Sequence, residues 1–362
     1  MKILIAGGGT GGHLMPALAL ARALRELRPD IEPVLAGAAR GLEAQVLPRH
    51  PFRYHLLPFE PLYRHAWWRN ARWLLVAWRV WRAVGRVLAA ERPAVVIGTG
   101  GYAAGPLVWR AQRAGLPTAL QEQNAFPGVA TRLLARRARQ LHLGFPEAAD
   151  RLTPGPDTAV FTLGNPIDPP RDQGDADAAR RELGLAASRP TVLVFGGSQG
   201  ARALNLALAA ALERGLLGET NVLWGTGEAH HPTFASYEAP GRVVVRGFFD
   251  PIPLAYQAAD LVVCRSGAMT VAELCAWGKP SVLVPLPSAA ADHQTRNARA
   301  LVDAGAAVAL PERDLSPARL ARAITELLGD RRRLQLLGDA ARSRGRPNAA
   351  RDIMSNILTL AR

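Results

Sequence analysis

Residues 2–13 set the architecture of the chain, and they read Lys2-Ile3-Leu4-Ile5-Ala6-Gly7-Gly8-Gly9-Thr10-Gly11-Gly12-His13. The apolar run Lys2–Ala6 is typical of a buried strand, and residues 14–28 place apolar side chains at helical spacing. A strand, a glycine-rich turn and a helix form the opening unit of a doubly wound α/β domain. This stretch therefore predicts a parallel sheet covered by helices.

The same arrangement returns near the middle of the chain. Thr191–Phe195 is a second apolar run, followed by Gly196-Gly197-Ser198-Gln199-Gly200 and by helical spacing over residues 201–213. Further short strands are predicted at 33–36, 94–97, 118–120, 140–143, 222–224, 243–246, 261–264, 281–284 and 307–310. A length of 362 residues exceeds one ordinary core, so we expect two α/β domains.

The domain boundaries follow from composition. We place the first domain at 1–164 and the second at 165–341, with a hinge in the stretch 168–174, which is rich in proline and aspartate. The C-terminal segment 342–362 has no sheet partner of its own and is predicted to pack back on the first domain. Two doubly wound domains that face each other place a ligand cleft between the carboxyl ends of their strands.

The net charge of +14 indicates an anionic partner, either nucleic acid, a phosphorylated substrate or anionic lipid. No helix-turn-helix, zinc or RNA-recognition signature occurs, so we expect no nucleic-acid partner. No apolar run reaches the ~20 residues of a membrane-spanning helix, and the N-terminal run is too short for a signal peptide. We therefore expect the chain to stay in the cytoplasm.

Neither a metal nor a cofactor is predicted. Cys264 and Cys275 lack metal-ligand spacing. The one DxD sequence, Asp175-Ala176-Asp177, lies in a polar stretch before a helix, where acidic residues are expected in any case.

The first glycine-rich turn matches the GxGxxG spacing of dinucleotide sites through Gly7, Gly9 and Gly12. The acidic residue that would hold a ribose is missing after the second strand, and no Gly-Lys-Ser/Thr completes a P-loop. Backbone N–H groups at a helix start suit an anionic or polar group. His13 at this helix start is either a catalytic base or donor, or a cap of the turn.

Seven short motifs follow one another along nearly the whole chain. They are Gly8-Gly9-Thr10-Gly11-Gly12-His13, Gly100-Gly101-Tyr102-Ala103-Ala104-Gly105-Pro106, Glu122-Gln123-Asn124, Gly164-Asn165-Pro166, Gly196-Gly197-Ser198-Gln199-Gly200-Ala201-Arg202, Arg265-Ser266-Gly267-Ala268-Met269-Thr270-Val271-Ala272-Glu273 and His293-Gln294-Thr295-Arg296-Asn297-Ala298. In these motifs and their order the chain resembles the MurG family. The resemblance implies an α/β protein of GT-B fold, in which two Rossmann-like doubly wound domains enclose the active cleft.

The resemblance also implies a reaction. The chain would move N-acetylglucosamine (GlcNAc) from UDP-GlcNAc to the C4 hydroxyl of N-acetylmuramic acid (MurNAc) in lipid I, the undecaprenyl-pyrophosphoryl-MurNAc-pentapeptide, and so form lipid II. Ser198 would face the diphosphate, Phe249 the uracil and Glu273 the ribose hydroxyls. All residues implied at the donor are Thr10, Gly11, Gly12, Asn124, Ser198, Phe249, Ala268, Met269, Thr270, Val271, Glu273, His293 and Gln294.

The acceptor would lie on the first domain, at Gly101, Tyr102 and Gly105. The implied reaction is inverting, because the acceptor hydroxyl attacks the anomeric carbon in one displacement. Such a step needs one general base, for which His13 is the first candidate and Glu122 the second. Helix dipoles rather than a metal would stabilise the leaving diphosphate.

Three positions depart from the family pattern. Ala104 stands where serine is usual, Gln121 where histidine is usual, and Asp168 where an arginine commonly follows the Gly-Asn-Pro turn. Arg171 is the candidate to replace that arginine by reaching back. These departures concern local contacts, above all a phosphate contact near Asp168.

The segment 64–88 combines tryptophan with arginine. On a helix an apolar stripe lies beside a basic one, with the members Trp67, Ala71, Leu74, Trp78, Trp81, Gly85 and Leu88 in the first and Arg69, Arg72, Arg79, Arg82 and Arg86 in the second. The apolar stripe either packs in the core or meets an anionic bilayer surface. The tryptophan density favours the membrane. We expect peripheral binding to the cytoplasmic face of the bacterial plasma membrane, through Trp67, Trp68, Trp73, Trp78, Trp81, Arg72 and Arg79.

Two rival interpretations remain. Another GT-B enzyme, such as a UDP-sugar epimerase or an antibiotic or glycolipid glycosyltransferase, would share the architecture and the glycine turns but not the combined motifs. A nucleic-acid-binding protein would fit the charge, and a steep salt dependence of duplex binding would favour it.

Overall fold

A computed structural model describes residues 1–59, 73–170, 174–197 and 200–361, without the side chains of Trp73 and Leu74. The chain divides into two α/β units. The first comprises Met1–Asp168 together with Pro347–Arg362, and the second comprises Pro169–Arg346. The boundaries expected at 164 and 342 lie a few residues before these points.

The first unit contains one parallel sheet. Its strands are β1 (Lys2–Ala6), β2 (Glu32–Ala38), β3 (Arg53–Leu57), β4 (Val95–Gly98), β5 (Thr118–Glu122), β6 (Gln140–Leu143) and β7 (Ala159–Phe161). Its helices before the unit boundary are α1 (Gly11–Leu27), α2 (Leu42–Val46), α3 (Trp73–Glu91), α4 (Gly101–Arg113) and α5 (Val129–Leu134). Across the sheet the strands follow the order β3-β2-β1-β4-β5-β6-β7.

The middle of this sheet is buried on both faces. Ile3, Leu4 and Ile5 of β1 have no exposed surface, as expected of a parallel strand with helices on both sides. The strand order reverses between β1 and β4. Ligands of doubly wound folds bind at the carboxyl ends of the strands at such a switch point, and the first glycine-rich turn lies there.

The second unit repeats this plan. Its strands are β8 (Thr191–Phe195), β9 (Asn221–Gly225), β10 (Val243–Arg246), β11 (Leu261–Cys264), β12 (Ser281–Leu283) and β13 (Val308–Ala309), all parallel in the order β10-β9-β8-β11-β12-β13. Its helices are α6 (Ala176–Glu182), α7 (Arg202–Glu213), α8 (His231–Phe234), α9 (Ile252–Ala258), α10 (Ala268–Trp277), α11 (His293–Asp303), α12 (Pro317–Gly329) and α13 (Arg331–Arg344). The order reverses between β8 and β11, and the second glycine-rich turn follows β8.

The last helix, α14 (Ala349–Leu358), belongs to the first unit. Its residues Ile353, Met354 and Ile357 are fully buried in one cluster with Leu14 and Leu18 of α1. The C-terminal segment therefore contributes an apolar face to the core beneath the first sheet.

The predicted strands are all present, with ends that differ by one or two residues. Two further strands, β3 and β7, were not predicted. Both are edge strands, and Arg53, Tyr54 and Val160 in them are exposed. Central strands are recognised by a buried apolar pattern, which an edge strand does not need. The sequence pattern therefore did not predict β3 and β7.

Candidate functional site

The first glycine-rich turn packs against the turn that follows β4. Gly9 has φ +96°, and a Cβ at this position would lie 2.6 Å from the ring of Tyr102. A Cβ at Gly101 would lie 1.8 Å from the carbonyl oxygen of Gly8. The two backbones touch, and this close approach requires glycine on both sides.

His13 lies half-buried in the first turn of α1. Its Nδ1 is 3.2 Å from the carbonyl oxygen of Thr99 and 3.0 Å from Oε1 of Gln123. The Thr99 hydroxyl donates to the carbonyl oxygen of His13 at 2.8 Å, which ties the helix start to the β4 turn. Within the described ranges Nε2 makes no hydrogen bond, so it is the ring nitrogen left without a protein partner there.

Buried amides surround this histidine. Gln121, at the position where histidine is usual in the family pattern, donates from Nε2 to Oδ1 of Asn165 at 2.9 Å. Asn165 in turn donates to the carbonyl oxygen of Gln123 at 2.9 Å. The Gly164-Asn165-Pro166 motif and the Glu122-Gln123-Asn124 motif therefore form one hydrogen-bonded network at the end of β5.

Glu122, the second candidate for the base, is only 3% exposed. Its Oε1 accepts from the backbone N–H and the side-chain amide of Asn124, at 3.1 and 3.3 Å. Its Oε2 accepts from the N–H of Gly128 at 2.9 Å and from the hydroxyl of Thr131 at 2.6 Å. A carboxylate with four donors organises its own loop and is poorly placed to take a substrate proton. His13 differs in that one of its two ring nitrogens makes no hydrogen bond within the described ranges.

A second buried carboxylate lies beneath the first glycine-rich turn. Glu43 of α2 is fully buried, and its Oε1 accepts the backbone N–H of Gly9. A Cβ at Gly8 would lie 2.0 Å from that oxygen, and one at Gly37 would lie 2.9 Å from the Glu43 side chain. Gly8 and Gly37 leave room for this carboxylate. It accepts the Gly9 N–H, which is then not available to bind a phosphate.

The other predicted residues of the first unit lie around the same two turns. Thr10 and Gly12 are exposed at the start of α1, and Gly11 beside them is half-buried. Gly105 of α4 faces Ala130, because a Cβ there would lie 3.7 Å from the Ala130 Cβ. The first unit therefore gathers the residues predicted for it at one edge of its sheet.

The second glycine-rich turn connects β8 to α7. Gly197 and Gly200 have φ of +81° and +72°, and the Gly200 N–H donates to the Gly197 carbonyl oxygen at 2.9 Å. A Cβ at Gly200 would lie 2.4 Å from the carbonyl oxygen of Thr226. Among the residues that the structure describes, no side chain caps the start of helix α7, and such a helix start suits an anionic ligand. Ser198, predicted to face the diphosphate, lies outside the described residues.

The predicted donor residues Ala268, Met269, Thr270 and Val271 form the first turn of α10. This helix has no acidic residue in its first turn, and the positive end of its dipole suits phosphate oxygens.

Glu273 lies one turn further along α10. Its Oε2 accepts a hydrogen bond of 2.8 Å from the hydroxyl of Tyr256. Burial raises the pKa of Tyr256 well above its usual range, so the phenol stays a donor. The carboxylate of Glu273 is thereby held in a fixed orientation.

Gln294 and His293 begin α11. The carbonyl oxygen of Gln294 accepts from the Ser266 hydroxyl at 2.8 Å, and its Oε1 accepts from the N–H of Leu286 at 2.9 Å. These bonds connect the starts of α10 and α11, and among the described residues the side-chain NH2 of Gln294 has no acceptor, so it could bind a ligand. His293 is bonded through Nδ1 to the carbonyl oxygen of Ala290.

Phe249, predicted beside the uracil, is 6% exposed and packs at the end of β9, where a Cβ at Gly225 would lie 3.6 Å from its ring. Its neighbour Phe248 is 52% exposed. Phe248 is therefore the more accessible aromatic side chain at this point of the chain.

Asp168, which stands where the family pattern has an arginine, forms an ion pair with Arg22. Nη2 of Arg22 in α1 lies 2.9 and 3.0 Å from its two carboxylate oxygens. Arg171, the candidate replacement, lies outside the described residues.

Helix α3 presents a different face to the core than its apolar spacing suggested. Val80, Ala83, Val84 and Val87 are buried in the core of the first unit. Trp78 from the predicted apolar stripe is instead 55% exposed. The stripe therefore lies beside the core-facing side of the helix. Its member Leu88 is half-buried and packs against this core, whereas Trp78 faces away from it.

The other predicted membrane residues of α3 lie near this tryptophan. Arg79 and Arg82 are exposed, and the Arg82 guanidinium lies 4.7 Å from the centre of the Trp78 ring. Trp81 is half-buried and packs on Trp109 of α4, with 4.9 Å between ring centroids. Outside the described residues lie Trp67, Trp68, Arg72 and the side chain of Trp73.

Two properties of the described residues bear on the partners. None of their helices has the length and apolar character needed to cross a bilayer. In the same ranges, no three His, Cys, Asp or Glu side chains are grouped so as to hold a metal ion.

Known proteins match the chain over both units. The glycosyltransferase family 28 N-terminal domain matches residues 3–143, and the glycosyltransferase family 28 C-terminal domain matches residues 191–356. A protein of Chlorobaculum parvum is 44% identical over 372 residues, covering 100% of each chain. It is named UDP-N-acetylglucosamine–N-acetylmuramyl-(pentapeptide) pyrophosphoryl-undecaprenol N-acetylglucosamine transferase. The chain belongs to the MurG family.

Solved structures agree with this assignment. The crystal structure of MurG from Acinetobacter baumannii matches with a TM-score of 0.78 at 28% identity, covering 99% of each chain. A putative UDP-N-acetylglucosamine 2-epimerase from Listeria monocytogenes matches with a TM-score of 0.71 at 16% identity, covering 99% of this chain and 96% of that one. The second likeness shows the fold alone. The expected GT-B fold and MurG family are confirmed.

Three residues at the candidate sites of the two units were not singled out from the sequence. Glu43 and Tyr256 lie 34 and 17 positions from the groups that they bind, Gly9 and Glu273, and no spacing rule connects such pairs. Gln123 lies inside a recognised motif, and that position was the one available signal for its contact with His13.

Proposed function

We propose that this chain transfers GlcNAc from UDP-GlcNAc to the C4 hydroxyl of MurNAc in lipid I, with inversion at the anomeric carbon. The product, lipid II, would supply peptidoglycan synthesis and hence cell shape and division. The observation that carries the proposal is the 44% identity, over the full length of both chains, to a transferase named for this donor and this acceptor.

The second unit offers suitable chemistry for the donor. The starts of α7 and α10 carry N–H groups and the positive ends of helix dipoles, which stabilise a diphosphate as its charge grows on leaving. Glu273, oriented by Tyr256, can accept hydrogen bonds from the two ribose hydroxyls. These groups would provide leaving-group stabilisation without a metal.

The first unit offers a base for the acceptor. Nδ1 of His13, at the start of α1, is bonded to Thr99 and Gln123, whereas Nε2 makes no hydrogen bond within the described ranges. We assign the removal of the C4 hydroxyl proton to Nε2 of His13, since Glu122 is occupied by its own loop. Gly101, Tyr102 and Gly105 would contact the acceptor, because they lie on the turn and helix that pack against the first glycine-rich turn.

The test is transfer of labelled GlcNAc from UDP-GlcNAc to a short-chain lipid I analogue, with and without a chelator. We expect a β-1,4-linked disaccharide at a chelator-independent rate. Glu273→Ala should weaken UDP-GlcNAc binding by about tenfold or more, because a diol loses its charged acceptor. Tyr256→Phe should weaken it less, and Tyr237→Phe, which removes a phenol bonded to exposed Glu213, serves as the matched control. Absence of any transfer by the folded wild type would contradict the proposal.

We further propose that α3 binds the anionic cytoplasmic face of the plasma membrane, where a lipid-anchored acceptor is found. Trp78 and Leu75 are exposed, Leu75 by 66%. Arg79, Arg82 and Arg86 are exposed on the same helix. An exposed tryptophan among arginines suits the headgroup region, where the ring meets the interface and the cations meet anionic lipid.

Vesicle co-sedimentation tests this peripheral binding. We expect binding to vesicles that contain phosphatidylglycerol, a loss in high salt, and a strong reduction in the double variant Leu75→Ser/Trp78→Ser. Leu336→Ser, which changes an exposed leucine of the second unit, is the control. Equal vesicle binding by the wild type, the double variant and Leu336→Ser would contradict the membrane proposal. Tight, salt-dependent binding to duplex DNA would contradict the expectation that nucleic acid is not a partner.

A further inference from the structure

The carboxamide of Gln123 has only one orientation that satisfies its neighbours. Its Nε2 lies 2.7 Å from the carbonyl oxygen of Thr99 and 3.1 Å from that of Gln121. Backbone carbonyl oxygens only accept hydrogen bonds, so the NH2 group must be on this side. Oε1 is consequently on the other side, where it faces His13.

This orientation determines which nitrogen of His13 carries the proton. Nδ1 faces Oε1 of Gln123 at 3.0 Å and the carbonyl oxygen of Thr99 at 3.2 Å. Both neighbours are acceptors, so the neutral ring must place its proton on Nδ1 to bond with them. Nε2 then has an unprotonated lone pair.

We propose that Gln123 is a positioning residue, which holds neutral His13 as the Nδ1–H tautomer and so keeps Nε2 ready to accept a proton. The inference rests on the proposed function, in which His13 is the base. It assigns to a neutral carboxamide the orienting task that a carboxylate has in Ser-His-Asp sites. The opposite tautomer would present an N–H to the acceptor hydroxyl and could not remove its proton.

The surroundings support an amide in this role. Glu122 and Glu43, the carboxylates of the elements packed around His13, are bonded to the Asn124 loop and to Gly9. Gln123 is itself 1% exposed, and its backbone carbonyl oxygen accepts from Asn165 at 2.9 Å. Its side chain therefore has little freedom to turn away from the imidazole.

The direct test is nitrogen-15 NMR of the full-length wild type labelled at histidine, with the His13 signals assigned by their absence from His13→Ala. When the ring is neutral and carries a single N–H proton, we expect that proton on a pyrrole-type Nδ1 and none on Nε2. A proton on Nε2 would overturn the proposal. This measurement does not depend on transfer activity.

The kinetic test compares Gln123→Met with Gln112→Met. Gln112 is a partly buried glutamine of the same unit, and its Nε2 donates to the hydroxyl of Thr118 and to the carbonyl oxygen of Leu134, both at 3.1 Å. We expect Gln123→Met to lower kcat by about tenfold, the effect of one hydrogen bond, with the KM for UDP-GlcNAc changed less than about twofold. Gln112→Met should keep the wild-type kcat even if its melting temperature falls equally.

A wild-type kcat in Gln123→Met would overturn the positioning role. If the wild type transferred no GlcNAc while NMR showed the Nδ1–H tautomer, the proposed function would fail and the orientation by Gln123 would stand.

Discussion

The two glycine-rich turns share one local plan and differ in what lies around them. Each follows the first strand of its sheet by chain order, contains glycines with positive φ and opens a helix. The first has a buried carboxylate beneath it, with Glu43 bonded to Gly9, and it carries an imidazole on the helix. In the second, among the residues described, Gly200 is bonded to Gly197 and packs on the Thr226 carbonyl.

This difference indicates a division of chemistry between the units. A carboxylate takes an N–H of the first turn and would repel a phosphate there, so that turn suits a neutral hydroxyl and a base. The second turn and the start of α10 have no acidic residue in the first helical turn, so they suit a diphosphate. A glycine-rich turn is therefore a scaffold whose ligand is chosen by its neighbours.

The largest effect is expected from the imidazole of the first turn. His13→Ala should lower kcat by about 10²- to 10⁴-fold, the usual contribution of a general base, because Nε2 is lost. UDP binding, measured by calorimetry, should stay within about twofold. His50→Ala, at another histidine of the first unit, is the control. Loss of UDP binding in His13→Ala would contradict the assignment of the diphosphate to the second turn alone.

The second-largest effect is expected from steric clashes when a Cβ is added to glycines of the two turns. Gly101→Ala puts a Cβ 1.8 Å from a backbone oxygen at φ +77°, and Gly200→Ala puts one 2.4 Å from another at φ +72°. Each should cost at least about 3 kcal/mol of unfolding free energy. Gly215→Ala, with φ +65° and open space, should cost only about 1 kcal/mol. Chemical denaturation measures these values.

The functional readouts of the same variants sharpen the comparison. At temperatures where the variants remain folded, Gly101→Ala should lose transfer and keep UDP binding, and Gly200→Ala should lose UDP binding. Identical phenotypes would mean that the turns do not serve separate ligands.

Lowering the pH should destabilise the first unit more than the second. Burial lowers the pKa of His142 in β6 from 6.5 to about 4, so the unfolded chain binds the additional proton first. Stability is fully present above pH 6.5 and falls by up to about 3 kcal/mol as the pH drops to 4. Hydrogen exchange should show β6 losing protection before β11 in this interval. His142→Leu should flatten the pH dependence, and an unchanged slope would contradict this account.

The smallest effect concerns the carboxylate beneath the first turn. Glu43→Leu leaves the Gly9 N–H without its acceptor and should cost about 2 kcal/mol, whereas Glu43→Gln retains an acceptor oxygen and should cost less. Urea denaturation of both variants measures the difference. Equal losses would show that packing around Gly8 and Gly37, rather than the hydrogen bond, sets the conformation of the turn.

Most of the fold was predictable from local pattern. Central strands such as β1 and β8 are buried on both sides and must be apolar along their whole length, so their position and the parallel architecture can be read from Lys2–Ala6 and Thr191–Phe195. The edge strands β3 and β7 carry no such constraint and were missed. For α3, apolar spacing predicted an amphipathic helix, but the buried face was settled by its packing on the sheet and on α4.

The candidate site divides in the same way. Short motifs located His13, Glu122 and Glu273, because these residues lie beside turns whose glycines leave a visible pattern. Their hydrogen bonds depend on partners distant in sequence, which come together within each unit only after folding. Folding saturates Glu122 with four donors, places Glu43 under Gly9, and turns the Gln123 carboxamide so that one nitrogen of His13 is available. Residue type and order specified the family and the fold, whereas the orientation of each polar side chain was settled by hydrogen bonds across the folded sheet.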